Sequence, residues 1–86
     1  MNKKVKKLVL NLASFIFDDV EFKRLISYIN LELFNNARLY VEEKLEYLET
    51  TLVLYLEEGV TQSKIQKCRK LDDLLTEEYI NSLNTI

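Results

Sequence analysis

A chain of 86 residues with no histidine, no proline, one glycine and one cysteine has room for one small domain and few chemical options. Its net charge of -2, with 48% hydrophobic and 30% charged residues, fits an ordinary folded chain and gives no general nucleic-acid signature. The lack of histidine excludes histidine-dependent triads, and a single cysteine argues against a zinc site or an internal disulfide framework. A lone cysteine also fits a reducing cytoplasm, which is the expected location.

Four lysines, Lys3, Lys4, Lys6 and Lys7, precede a mostly apolar run from Leu8 to Phe17. The pairing superficially matches a secretory leader. Asn11 interrupts the run, however, Asp18-Asp19 follows without a small-residue cleavage site, and the run is short of the ~20 residues a membrane span needs. Val5, Leu8, Leu12, Phe15 and Ile16 share one helical face, so the segment predicts an amphipathic helix over about 3–17, with a weak membrane-surface or targeting role as the alternative.

Asp18 and Glu21 have capping-box spacing and open a second helix over about 19–35. Its stripe is Phe22, Leu25, Ile26, Ile29 and Leu33, with Tyr28, Leu31 and Phe34 off the stripe. A helix apolar over so much of its circumference is expected to lie centrally in a bundle. Carried forward at ~100° per residue, this stripe points away from the one beginning at Val41. A break near Asn35-Asn36 resolves the mismatch, because asparagine tolerates turn conformations. The alternative is one long bent helix over 19–58.

The rest reads as two helices, about 38–58 and 62–83, joined at Gly59-Val60-Thr61. Gly59 follows the charged pair Glu57-Glu58 and predicts a left-handed C-terminal cap, with Thr61 capping the next helix. The first carries Val41, Leu45, Leu48, Leu52, Tyr55 and Leu56 on one stripe; the second carries Ile65, Cys68, Leu71, Leu75, Tyr79 and Leu83. A further row at Tyr40, Tyr47 and Leu54 suits either packing against the N-terminal helices or a self-association seam, so a homodimer is an open alternative. The expected fold is therefore all-α: a single domain over 1–86, with N-terminal helices in 1–37 and an antiparallel hairpin over 38–86.

Asp72 interrupts the apolar stripe between Cys68 and Leu75. A buried lone carboxylate is costly, so it is expected to find a partner, Tyr55 or Arg69, or to mark a site. Cys68 reads as a small core residue more readily than as a nucleophile, since no histidine is present to activate it.

The stretch from Gly59 to Tyr79 resembles the small sporulation-regulating aspartyl-phosphate phosphatases of endospore-forming bacteria. Those are helical hairpins with a Gly-Leu-Thr-like turn and a second helix carrying Ser-Gln-Glu-Leu-Asp, an apolar pair and Glu-Tyr. Leu71, Asp72, Leu74, Leu75 and Glu77 match that pattern. Cys68, Arg69 and Lys70 stand where the family has Ser, Gln and Glu, Tyr79 is displaced by one, and residues 1–37 are not covered. The resemblance implies a regulator that binds the receiver domain of a response regulator and removes its aspartyl phosphate. Asp72 and Arg69 would hold the catalytic positions, and Cys68, Arg69, Asp72, Lys64 and Lys67 the partner-facing ones. This chain would carry no cofactor of its own; the magnesium would be the receiver's. An acyl phosphate is already reactive, so such an enzyme mainly orients water and stabilises phosphoryl charge. Arg69 in place of an amide leaves activity in question.

The rival expectation is a non-enzymatic helical interaction protein, of the bacteriocin-immunity type or a phage or plasmid regulator. A DNA-binding helix-turn-helix would use Lys64, Lys67, Arg69 and Lys70, but Asp72, Asp73, Glu77 and Glu78 on the same helix argue against it. No nucleic-acid partner is expected, and no membrane span.

Overall fold

Four helices make up the structure, a computed structural model that describes residues 1–50 and 58–84, and of 58–61 the backbone alone. They are α1 (Lys3–Ile16), α2 (Asp19–Asn30), α3 (Phe34–Thr50) and α4 (Glu58–Leu83). No strand occurs among the described residues, and the all-α expectation holds. Helices α3 and α4 make the most extensive pairing; α1 lies along α4, α2 lies along α3, and α1 and α2 meet lightly. The bundle is elongated, 44 × 21 × 20 Å.

The N-terminal starts are fixed by side chains. Asn2 caps α1, its Oδ1 accepting from the Val5 N–H at 2.8 Å. Asp18 and Glu21 form the expected capping box: Asp18 Oδ1 accepts from Glu21 N at 2.8 Å, and Glu21 Oε1 accepts from Asp18 N at 3.1 Å. Two free donors of the first turn are thereby satisfied.

The break after α2 falls earlier than Asn35-Asn36, which lie inside α3. Glu32 has φ of 58°, the left-handed region. Its N–H reaches Ile29 O at 3.0 Å, and the Leu33 N–H reaches Tyr28 O at 2.8 Å. These are the two bonds of a Schellman termination, made without glycine. The Leu33 carbonyl then accepts from Ala37 N at 2.9 Å and starts α3. One bent helix over 19–58 is excluded, and the boundary of the C-terminal half moves from residue 38 to Phe34.

The Gly59 turn is also corrected. Glu58, Gly59, Val60 and Thr61 lie within α4, and Gly59 has no positive φ. Residues 51–57, including Leu52, Leu54, Tyr55 and Leu56 of the predicted stripes, lie outside the described residues.

The core draws on all four helices: Val9, Ala13, Leu25, Ala37, Val41, Leu48, Cys68, Leu71 and Leu75 are at 1% exposure or less. Val9 and Ala13 fall off the predicted α1 stripe, whereas Phe15, on it, is half exposed. Helix α2 is not central, since it touches α3 and only lightly α1. Leu31 and Val20, at its two ends, face water. At the end of the α4 stripe, Leu83 is exposed as well.

Candidate functional site

The residues singled out on α4 divide between three surroundings. Cys68 is fully buried, and its thiol donates to the Val41 carbonyl at 3.7 Å. Burial, then the Asp72 charge, pushes that thiol up to about 12, so it stays protonated and unreactive at neutral pH. A partner cannot touch it, and the partner-facing assignment of Cys68 is corrected to a core position. Lys67 places its ammonium over the Phe15 ring at 4.8 Å, a cation–π contact that ties α4 to α1. Lys64 is half-buried one turn earlier.

Arg69 and Asp72 do not pair. Arg69 Nη2 donates to Glu49 Oε1 at 2.9 Å across the outer edge of α3 and α4. Asp72 lies one turn further along, half-buried, and its buried Oδ1 has no hydrogen-bond partner. Across from it on α3, Arg38 donates to Glu42 Oε1 at 3.3 Å and Asn35 Oδ1 at 2.7 Å and covers the Tyr79 ring at 5.2 Å. Its buried Nε is likewise unpartnered. Burial chiefly, then the Glu42 and Asp73 charges, raises the Asp72 carboxyl above its usual value, with Arg38 opposing. The expectation of an Arg69 partner for Asp72 is thus corrected; Tyr55 lies outside the described residues.

A second site stands on the opposite side of α3, and sequence reading found only part of it. Tyr40 stacks on Phe17 with centroids 5.6 Å apart, and Tyr28 meets Tyr40 edge-on at 5.9 Å. Lys44 lies over Phe17 at 5.7 Å and over Tyr47 at 5.5 Å. The same ammonium donates to both Glu21 oxygens at 3.1 Å. Glu21 therefore serves the α2 cap and Lys44 at once, which pins the start of α2 to the middle of α3. Burial, then the Glu21 carboxylate, raises the Tyr40 phenol above its usual value.

Around this cluster the surface opens into a groove of about 650 Å³ between α2 and α3. Aromatic rings floor it, and Asp18, Arg24 and Glu43 stand at its rim. Tyr40 and Tyr47 were legible as a seven-residue row. Lys44 was not, because its partner Glu21 is 23 residues away and one of its two rings, Phe17, lies in the turn between α1 and α2. Among the described residues no group of acidic or cysteine side chains is arranged to hold a metal ion, and no helix is long and apolar enough to cross a membrane. No family model, curated protein or solved structure matches the chain.

Proposed function

We propose that this chain is a small regulatory protein that acts by binding a protein partner, with the groove between α2 and α3 as the contact. The observation that carries the reading is the groove's build. Four aromatic rings and one lysine are fixed by ring contacts and by Glu21, while Tyr47 stays half exposed and Arg24 and Glu43 stand free of the core. Aromatic and arginine side chains over a rigid floor are the composition of binding hot spots, because they bury much area with little loss of freedom.

The resemblance on α4 suggests the class of partner, a receiver domain of a response regulator. Hydrolysis of its aspartyl phosphate is not expected. Cys68 is enclosed, Arg69 is held by Glu49, and Asp72 is half-buried at the α3–α4 junction. Among the described residues, these three do not converge on one exposed surface at which water could be lined up on a phosphoryl group.

The test is affinity capture by wild type and by the double variant Tyr47→Ala, Arg24→Ala, with matched circular dichroism. A partner held by wild type and lost by the variant supports the groove. A partner held equally by both places the contact elsewhere and ends this reading. A receiver captured at the groove should keep the lifetime of its acyl phosphate; a shortened lifetime would restore the phosphatase reading.

A further inference from the structure

One end of the bundle carries a surface that the groove does not use. Lys6 Nζ lies 3.4 Å from Asn30 Oδ1, joining the start of α1 to the end of α2. The Met1 amino group lies 3.8 Å from Glu78, joining it to the last turns of α4. Arg38 over Tyr79 brings the start of α3 to the same end. The sequence scatters these segments, and the fold collects them at one pole.

Two chemistries meet there. Leu31 is 68% exposed, Leu33 42%, Ile80 49% and Leu83 52%. Lys3, Lys4, Lys6 and Lys7 are all exposed on the start of α1, which lies at the same end, and the first turn of α1 has no acid. Glu32 and Glu77 are the exposed acids of the pole, outnumbered by the lysines, while Glu78 is paired with the amino group.

We propose that this pole docks onto the surface of an anionic lipid bilayer. The lysines meet headgroup phosphates, and the exposed aliphatic side chains enter the interfacial layer. Charge complementarity selects this occupant: a basic cluster is drawn to the negative surface of anionic lipid, and aliphatic side chains gain by leaving water just beneath it. Single-stranded nucleic acid would be met by stacking rings, and the pole exposes leucine and isoleucine instead. Attachment is peripheral, with the 44 Å axis of the bundle standing away from the lipid plane.

Co-sedimentation with phosphatidylcholine vesicles, with and without phosphatidylserine, tests the proposal on the full chain. Binding should require phosphatidylserine and weaken with salt. The variant Lys3→Gln, Lys4→Gln, Lys7→Gln should lose about fivefold in affinity per lysine. Leu31→Ser with Leu83→Ser should weaken binding at unchanged charge. Since the chain has no tryptophan, Leu31→Trp gives a clean probe, and its emission should shift to the blue on phosphatidylserine vesicles. All these positions are exposed, so circular dichroism should not change. Absence of binding to phosphatidylserine vesicles overturns the proposal, as does equal binding to phosphatidylcholine alone. So does a tight lysine-dependent complex with duplex DNA or heparin from a protein that ignores the vesicles.

Discussion

The two sides of α3 carry similar residues in opposite states. Toward α2, the Lys44 cation meets two rings and both oxygens of one carboxylate, and every contact closes. Toward the outer edge of α4, the Arg38 cation meets a ring, a carboxylate and an amide, yet its Nε and the Asp72 Oδ1 remain buried and unpartnered. A closed polar cluster fixes a groove at little cost, whereas a buried unpartnered atom keeps its desolvation penalty of about 1–3 kcal/mol. The difference teaches where this small domain holds a defined binding surface and where it stores instability.

The largest effect should come from the core that both sides share. Leu48 is 1% exposed on α3. Leu48→Ala should destabilise by about 2–5 kcal/mol, read by urea or thermal unfolding. A loss well under 1 kcal/mol would mean that α3 is not packed as described, and the contrast between its sides would have no common frame.

Next comes the unsatisfied side. Asp72→Leu removes a buried acceptor and a charge from between Cys68 and Leu75, so it should stabilise by about 1 kcal/mol, or ~4–8 °C in melting temperature at neutral pH. The sign with pH follows from the raised carboxyl. In the native state Asp72 holds its proton to a higher pH than the ordinary carboxylate range in which the unfolded chain releases it. The stability this contributes is complete below that range and is lost as pH rises through the native value. The advantage of Asp72→Leu over wild type should therefore shrink on acidification, and an advantage that grows instead would refute the assignment.

The satisfied side predicts the opposite response. Glu21→Gln preserves capping-box chemistry while removing the charge that Lys44 faces. A double-mutant cycle with Lys44→Met should give a coupling of roughly 0.5–1 kcal/mol, the range for a partly exposed pair, and high salt should reduce it. Zero coupling would make the groove's floor no more ordered than the outer edge.

How much of this was readable beforehand depended on the range of the cause. Helix content and the Asp18–Glu21 box are local, and the sequence states them. The end of α2 is local too, but its signal misled: two asparagines advertised a turn that Glu32 makes without them. Gly59 advertised a cap, and α4 carries it inside the helix instead. The closed cluster at Lys44 joins residues of α2, α3 and the turn between α1 and α2, so no single window contains it. Asp72 was legible as an anomaly in a stripe, and only packing revealed that nothing answers its Oδ1.

The smallest effect belongs to that misread turn. Glu32 sits at φ of 58°, where any residue that carries a Cβ is strained and glycine is not. Glu32→Gly relieves the strain but frees the unfolded chain, and the second effect offsets part of the first by about 0.4–1 kcal/mol. The net should be a gain of a few tenths of a kcal/mol, or ~2 °C in melting temperature. Glu32→Ala keeps the strain without the charge and should not share the gain, which separates backbone relief from electrostatics. Both variants also remove an exposed acid from the lysine-rich pole, so both should bind phosphatidylserine vesicles slightly more tightly than wild type. Stability should therefore distinguish the two variants, while lipid binding should not.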